Sequence, residues 1–391
     1  MSTAPASRPT RRAAGLGTSV FAEMTELAVR TGAINLGQGF PEDDGPREVL
    51  AAAQHALAHG SNQYPPLNGT RPLREAIVRQ RLRRHGTRYD PETGVVVTSG
   101  ATEAVTAAVL GLCAAGDEVL VFDPAYDSYP AAAQLAGARC RRVPLRPGPQ
   151  GFGYDPDALR AAVTPACRML LLNTPHNPTG KVFTTDELAD IAEVCVRHDL
   201  VAVVDEVYEY LVHDGRRHHA LAAFEGMADR TLTVSSAGKS YSLTGWKVGW
   251  ACGPADLVTA VRAVKQYTTY ATAAPLQDAV ALALDRYEPW TAGLRAVLRS
   301  NRDALADCLR AAGTTVLPAE GGYFLQADVA GTDTPDALEY CRALALRARV
   351  VAIPTQVFAQ RPDPYGSLVR FAFCKSPRTI AEAVARLEGH V

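Results

Sequence analysis

The chain has 391 residues, a mass of 41.7 kDa and a formal charge of -1, with 47% hydrophobic and 21% charged residues. This length predicts two domains, or one large and one small, and the composition excludes disordered and collagen-like proteins. The balanced charge does not suggest a nucleic-acid partner, and no run of 18 apolar residues predicts a membrane span. Because eight scattered cysteines form no C-x-x-C pair and the N-terminus has no apolar secretion core, we expect a cytoplasmic protein.

One strong local cluster of basic residues occurs early in the chain, within the sequence R-E-A-I-V-R-Q-R-L-R-R-H-G. It contains Arg79, Arg81, Arg83 and Arg84. The pattern is typical of a helix, and we interpret the arginines as its solvated face.

Short apolar runs alternate with helical patterns through the middle of the chain. The runs are Val95–Thr98, Glu118–Phe122, Arg168–Asn173, Leu200–Val204 and Thr231–Val234. Nearly continuous apolar runs between helices predict a mostly parallel sheet covered by helices on both faces, which is an α/β architecture. Between two of these runs, Thr184 and Glu187 resemble a capping region at the start of a helix from about Thr185 to Arg197.

The character of the sequence changes after about residue 285, where a long helical pattern precedes shorter β-like runs. This part of the chain predicts a smaller α+β unit. We therefore predict an N-terminal arm and small-domain segment at 1–44, a large cofactor-binding domain at 45–284 and a C-terminal small domain at 285–391.

Polar residues follow several of the predicted strands, at the sheet edge where α/β proteins bind ligands. Four segments stand out: N-T-P-H-N-P-T-G-K from Asn173, D-E-V-Y from Asp205, S-S-A-G-K from Ser235 and G-W-K-V-G from Gly245. In their order and spacing they resemble the class I/II aminotransferases, which use pyridoxal 5′-phosphate (PLP) and have the fold-type-I architecture. The resemblance extends from about Asn35 to Lys375.

The resemblance implies roles for the residues nearest the cofactor ring. Lys239 follows a β-run and a short turn, so its amine can bond an aldehyde cofactor and then carry a proton. Asp205 ends a buried strand and is implied to hold the pyridine nitrogen in its protonated form. Tyr208 and Asn177 are implied to hydrogen-bond the 3′ oxygen of the ring, and Tyr126 to stack on the ring.

The phosphate of the cofactor requires backbone donors and positive charge. Ala101 and Thr102 lie in a turn between a strand and a helix, where amides can point at an anion. Family matching adds Ser236 and Lys247, although many relatives carry arginine at the position of Lys247. Tyr64 matches a tyrosine that reaches the partner subunit's phosphate in related dimers.

The substrate side of the site follows from the same resemblance. Arg370 matches the arginine that binds the substrate α-carboxylate through a two-pronged guanidinium. Gly37 and Asn177 are expected beside that carboxylate, and Tyr270 matches an aromatic residue contributed by the partner chain. The sequence around Tyr270 departs from the usual pattern. We interpret His176 as a loop histidine satisfied by backbone atoms.

The implied reaction is ping-pong transfer of an amino group from an α-amino acid to a 2-oxo acid by a homodimer with shared active sites. We expect no metal. Within the family, the chain looks closest to the branch with kynurenine/glutamine, methionine and succinyldiaminopimelate aminotransferases, which predicts a neutral or bulky amino donor. One alternative is β- or γ-elimination or replacement with the same cofactor, since the same residues serve that chemistry. A transcription regulator is disfavoured, because only about 20 residues precede the first matched segment.

Overall fold

The structure is a computed structural model that describes residues 10, 12–13, 16 and 20–388. The remaining residues of the predicted N-terminal arm and residues 389–391 therefore lie outside the described chain. Within residues 20–388, no helix is both long and apolar enough to cross a membrane.

The strands are numbered in chain order: β1 Ile34–Asn35, β2 Val95–Thr98, β3 Glu118–Asp123, β4 Arg139–Pro144, β5 Arg146–Gly148, β6 Gly151–Gly153, β7 Cys167–Asn173, β8 Val201–Asp205, β9 Thr231–Ser236, β10 Gly249–Cys252, β11 Thr315–Leu317, β12 Phe324–Asp328, β13 Val350–Val351, β14 Ile353–Pro354 and β15 Leu368–Ala372.

The α-helices are α1 Val20–Thr31, α2 Arg47–His59, α3 Arg71–His85, α4 Ala101–Leu112, α5 Ser128–Ala136, α6 Pro156–Ala162, α7 Thr185–Arg197, α8 Ala237–Ser240, α9 Ala255–Gln266, α10 Ala274–Arg286, α11 Glu288–Ala311, α12 Ala337–Arg347 and α13 Pro377–Leu387. Short 3-10 turns lie at Leu221–Ala223, Thr244–Trp246 and Thr355–Phe358.

A seven-stranded sheet in the order β2-β10-β9-β8-β7-β3-β4 forms the centre of the large domain. Only β10 runs against its neighbours, so the sheet is mostly parallel, as the sequence predicts. Side chains alternate across the strands: Met169 and Leu171 pack with α4, α5 and α9, whereas Leu170 and Leu172 pack with α6 and α7. Burial on both faces explains why these strands are continuously apolar.

A four-stranded antiparallel sheet in the order β11-β12-β15-β14 lies in the C-terminal part of the chain. It shares a core with residues of α1, α11, α12 and α13. The N-terminal segment joins this unit, since Ile34 of β1 pairs with Val350 of β13 in parallel. The domain limits at 44/45 and 284/285 remain predictions.

The helix α7 begins where the sequence predicts. The side chain of Thr184 accepts a hydrogen bond from the backbone of Glu187, and the Glu187 side chain accepts one from the backbone of Thr184. This reciprocal capping box satisfies two backbone donors at the start of the helix.

The interpretation of the basic cluster as a solvated face is wrong for Arg81, and Arg84 is only partly exposed. Arg79 and Arg83 are about half exposed, but the Arg81 side chain is completely buried and lies 2.7 Å from the Glu206 carboxylate. Glu206 and Glu209 are buried against this part of α3 and require a cation, which Arg81 supplies. The sequence of the helix alone contains no sign of this partner.

Candidate active site

A cavity of about 370 Å³ lies at the carboxyl ends of the central strands. Most of the residues predicted for the cofactor meet there. The cavity is lined by Ala101, Thr102, Tyr126, Asn177, Asp205, Tyr208, Ser236, Lys239, Lys247 and Arg370, together with other residues. Parallel strands bring their ends to one edge, so segments far apart in sequence converge on this space.

Asp205 is the last residue of β8 and is almost fully buried. Its carboxylate accepts hydrogen bonds from the Tyr129 hydroxyl at 2.8 Å and from the Val207 amide at 3.2 Å. Among the described residues, no cationic side chain lies within 4.0 Å of it. Burial therefore raises the pKa of Asp205 to about 6, although the hydrogen bonds from Tyr129 and Val207 oppose the shift. A buried acid with no close cation is suited to receive a cationic ligand.

Lys239 follows β9 in the short helix α8, and its amine reaches the cavity. The Nζ atom donates a hydrogen bond to the Gly39 carbonyl at 3.3 Å. Burial lowers the pKa of Lys239, and the nearby Lys247 adds to this effect, while Cys374 and Asp205 oppose it. A lowered pKa increases the neutral, nucleophilic fraction of an amine.

The strand-to-helix turn before α4 is shaped to admit an anion. Gly100 has φ of 83°, and a Cβ atom there would lie 3.0 Å from Lys247 Nζ. A Cβ atom on Gly249 would lie 2.6 Å from the carbonyl carbon of Gly100 and 2.7 Å from the amide nitrogen of Ala101. The turn thus combines an ammonium group, the N-terminus of a twelve-residue helix and the closely packed strand β10.

Arg370 lies on β15, and only 2% of its surface is exposed. Its guanidinium donates to the Asn177 side-chain oxygen at 2.8 Å and to the Gly37 carbonyl at 2.6 Å. It also lies over the rings of Phe324 and Phe358, at 4.1 and 4.6 Å from their centroids. Burial lowers the pKa of Arg370 to about 10, so the group remains charged at neutral pH.

Asn177 connects this arginine to the strand end that carries Asp205. Its backbone amide donates to the Asn173 side-chain oxygen at 2.7 Å, and Asn173 in turn donates to the Asp205 carbonyl at 2.9 Å. Tyr208 lies in the same turn as Asp205 and meets Tyr323 edge to face. These contacts fix the orientation of the residues around the cavity.

Three predicted residues do not line the cavity of this chain. Tyr64 is 85% exposed and Tyr270 is 46% exposed, and their rings meet edge to face with centroids 5.4 Å apart. Gly37 lies behind the cavity wall, where its carbonyl accepts from Arg370. The structure therefore places both tyrosines on the surface, away from the other predicted residues.

Sequence reasoning missed several residues of the cavity, including Tyr129, Asp127, Gln38 and Phe324. Tyr129 could have been found, because it follows Tyr126 by only three residues in the segment that leads into α5, and the two rings meet edge to face with centroids 5.6 Å apart. Phe324 had no comparable signal, since a remote strand brings it to the site.

His176 is buried beside this region without lining the cavity. Its Nδ1 atom lies 2.8 Å from the Thr179 hydroxyl, so a side chain satisfies it where the sequence suggested backbone atoms. Burial lowers the pKa of His176 to about 3, which keeps the ring neutral.

Comparison with known proteins identifies the family. The model of aminotransferase class I and II matches residues 31–387. The chain belongs to this family. It is 54% identical over 378 residues to the probable N-succinyldiaminopimelate aminotransferase of Mycobacterium tuberculosis, covering 95% of each chain. It is 38% identical over 372 residues to the methionine aminotransferase of Escherichia coli, covering 95% of this chain and 96% of that one.

The fold agrees with this assignment. A solved structure of N-succinyldiaminopimelate aminotransferase from Mycobacterium tuberculosis superposes with a TM-score of 0.96 at 53% identity, covering 98% of this chain and 100% of that one. The expected fold-type-I architecture is confirmed. The protein is a PLP-dependent aminotransferase that moves an amino group from an amino acid to a 2-oxo acid, and these relatives do not support the elimination alternative.

The cavity fits PLP in chemical terms. Asp205 offers a buried carboxylate to a protonated ring nitrogen, and Lys239 offers an amine to the aldehyde. The cradle formed by Gly100, Lys247 and Gly249 offers a cation and helix amides to the phosphate. When bound there, PLP supplies the electron sink that makes the substrate Cα–H bond acidic.

Proposed function

We propose that Lys239, Asp205 and Arg370 carry out the transamination within this single cavity. The observation that carries the proposal is the convergence of these three groups on one cavity, from α8, β8 and β15 respectively. Their charges match those of an aldehyde cofactor with a protonated ring and an amino acid with a free carboxylate.

Each residue has one task in this proposal. Arg370 binds the substrate α-carboxylate with its guanidinium, which orients the Cα–H bond toward the amine of Lys239. With PLP bound, Lys239 would be the proton carrier, taking the proton from Cα as a base and giving it up as an acid. Asp205 keeps the ring nitrogen protonated, while Tyr208 and Asn177 hydrogen-bond the ring oxygen.

The remaining predicted residues complete the site. Ser236, Lys247, Ala101 and Thr102 hold the phosphate, and Tyr126 packs on the ring. The Gly37 carbonyl accepts from Arg370, so Gly37 lies beside the guanidinium that binds the substrate carboxylate.

We further propose that the enzyme is a homodimer in which Tyr64 and Tyr270 serve the partner's site. Tyr64 is 85% exposed and its ring meets that of the 46% exposed Tyr270, so the two form an exposed aromatic pair that a partner chain would cover. Neither side chain lines the cavity of its own chain.

Complementation between inactive variants tests this sharing. Chains carrying Lys239→Ala and chains carrying Tyr64→Ala are unfolded together, mixed and refolded. If Tyr64 acts across the interface, the mixed dimers contain one complete site, and about a quarter of the wild-type activity returns in a random mixture. If Tyr64 acts within its own chain, mixing restores no activity.

For the amino donor we propose a bulky substrate, with N-succinyldiaminopimelate as the first candidate. The Mycobacterium tuberculosis relative that is named for this compound matches nearly the whole chain at 54% identity. Methionine is the second candidate, because it is the substrate in the name of the 38% identical relative.

A half-reaction screen tests the donor. Enzyme loaded with PLP is mixed separately with N-succinyldiaminopimelate, methionine and glutamate, and the absorbance change from the aldehyde to the amine form is followed with time. We expect the largest rate constant divided by half-saturating concentration for N-succinyldiaminopimelate. A larger value for methionine would favour the second candidate, and release of ammonia without an acceptor would indicate elimination.

We propose a cytoplasmic location. All eight cysteines are free, and six of them are buried in apolar cores. Free thiols in this number are typical of a reducing compartment.

A further inference from the structure

A polar cluster lies behind the turn at residues 99–102, which we call the phosphate turn. We call the cluster the clasp, and it consists of Glu103, Lys265, Thr269 and Thr272. None of these four residues lines the cavity. Glu103 is in the first turn of α4, and Lys265 is in the last turn of α9 with its side chain completely buried. The clasp therefore joins the start of one helix to the end of another.

The clasp holds the phosphate turn through Ser99. The Glu103 carboxylate accepts a hydrogen bond from the backbone amide of Ser99. The Thr272 hydroxyl lies 3.4 Å from the hydroxyl of Ser99. Ser99 is thus held by both its backbone and its side chain, directly before the chain enters α4.

The backbone amides of the phosphate turn divide between the protein and a ligand. The amide of Ser99 is engaged by the clasp, and that of Gly100 donates to the Thr98 carbonyl at 2.8 Å. The next two amides belong to Ala101 and Thr102, which line the cavity. Because the first amides of a helix have no partner within the helix, these two are available to an anion. Their direction depends on how the preceding residues are held.

Lys265 anchors the clasp to the loop after α9. Its Nζ atom lies 3.2 Å from the Glu103 carboxylate. It also donates to the hydroxyl of Thr269 at 2.8 Å and to that of Thr272 at 3.3 Å. The Thr269 hydroxyl in turn donates to the second oxygen of the Glu103 carboxylate. The loop also contains Tyr270, whose amide donates to the Lys265 carbonyl at 2.9 Å.

A buried ammonium group has three donors and requires an acceptor for each of them. Lys265 finds these acceptors in Glu103, Thr269 and Thr272. Loss of this one side chain therefore releases three contacts at once. This consequence does not depend on the charge of Glu103, because each contact is a hydrogen bond that Lys265 donates.

We propose that Glu103 and Lys265 are positioning residues for the cofactor phosphate: they hold Ser99 so that the amides of Ala101 and Thr102 face the anion. This inference rests on the phosphate site proposed for this turn. It gives a function in phosphate binding to an ion pair that lies outside the cavity wall.

A comparison of PLP with pyridoxal, the corresponding aldehyde without the phosphate, tests the proposal. The apoenzyme is titrated with each compound, and the dissociation constants are measured by equilibrium dialysis. Lys265→Met removes the three donors, and Glu103→Leu removes the acceptor for the Ser99 amide. In each variant we expect the affinity for PLP to fall about tenfold, while the affinity for pyridoxal changes by less than about twofold.

Thr272→Val provides a milder change in the same cluster. It keeps the shape of the side chain and removes the hydroxyl that lies between Ser99 and Lys265. We expect the preference for PLP over pyridoxal to fall about threefold. This variant tests the inference even if the substitutions of the charged residues prevent folding.

Lys181→Met is the matched control. Lys181 is another buried lysine, it pairs with Glu187 at 2.7 Å, and it does not line the cavity. Its replacement also removes a buried ion pair, but this pair makes no contact with the phosphate turn. The ratio of the two dissociation constants should therefore stay at the wild-type value.

The ratio of the dissociation constants for pyridoxal and PLP decides between the outcomes. The inference is overturned if the clasp variants keep the wild-type ratio, whether both affinities are unchanged or both fall equally. An equal fall would indicate a purely structural role. If the wild-type enzyme itself binds pyridoxal as tightly as PLP, the proposed phosphate site fails, and that failure is distinguishable from a failure of the clasp alone.

Discussion

Asp205 and Glu206 are adjacent carboxylates on the same turn, yet their environments shift their pKa values in opposite directions. Asp205 faces the cavity without a close cation, and burial raises its pKa to about 6. Glu206 faces Arg81 of α3 and His218 of the loop after β8, which overcome the effect of burial and lower its pKa to about 2. Asp205, which faces the cavity, and the next residue, Glu206, which pairs with Arg81, thus lie in opposite electrostatic environments.

The comparison indicates that the buried side of the turn has a structural role, whereas the side that faces the cavity has a role in ligand binding. The ion pairs of Arg81 with Glu206 and Glu209 behind the turn need no ligand, so they hold the strand ends with or without a cofactor. The side that faces the cavity is incomplete, because ionised Asp205 in a buried site is destabilising until a cation binds it. The following predictions test the two faces separately, starting with the largest expected effect.

Asp205→Asn should lower turnover by about 1000-fold, because a neutral amide does not hold the ring nitrogen in its protonated form. The same change should stabilise the apoenzyme. A carboxyl group with a raised pKa contributes stability at low pH that is lost as the pH rises through about 6, and the asparagine avoids this loss, gaining up to about 3 kcal/mol at pH 8. Turnover assays and urea unfolding at pH 5 and pH 8 measure both effects. Equal stability of the two proteins at pH 8 would contradict the comparison.

Arg370→Lys should lower kcat/KM by about 100-fold, mainly through a higher KM. A lysine retains the charge but cannot offer two parallel donors to a carboxylate. Steady-state kinetics check this expectation, and Arg302→Lys is the control, because Arg302 pairs with Asp214 outside the cavity. Normal KM in the Arg370 variant would remove this residue from substrate binding.

Tyr129→Phe should weaken PLP binding by about threefold to tenfold. The change removes a hydrogen bond to ionised Asp205, which raises the pKa of that acid further and makes the loss larger at low pH. Equilibrium dialysis at several pH values measures the effect. Tyr154→Phe is the control, since the Tyr154 hydroxyl has no hydrogen-bond partner among the described residues. A loss of the same size in both variants would argue against a specific action on Asp205.

Thr184→Ala should have the smallest effect, lowering the free energy of unfolding by about 1 kcal/mol without changing kcat. The substitution removes the capping box of α7, which lies outside the cavity wall. Denaturant unfolding and a turnover assay check the two parts. A changed kcat would mean that the stability of this helix is coupled to the active site.

The sequence predicts the residues that line the cavity much better than the buried residues behind the turn. Lys239, Asp205 and Asn177 occur in short runs with fixed spacing, so they can be matched one by one, and the continuous apolar strands predict the parallel sheet. Arg81 could not be predicted, because its partners lie more than 120 residues away and an arginine-rich helix is usually solvated. Phe324 was missed for the same reason, since only the fold brings β12 to the cavity.

The antiparallel strand β10 is a further feature that the sequence did not reveal. Its four residues are all buried and apolar or small, as in the parallel strands, so composition does not indicate direction. Its packing has a consequence for the site, because Gly249 must lack a side chain where β10 meets the turn at Gly100.

The most direct test of the central claim is the location of the covalent bond to the cofactor. The enzyme is incubated with PLP, reduced with borohydride, digested and analysed by mass spectrometry. We predict that the reduced adduct lies on Lys239, with Lys181 and Lys247 unmodified. An adduct on a different lysine, or a protein that remains colourless and unmodified with excess PLP, would contradict the assignment of this cavity as the active site.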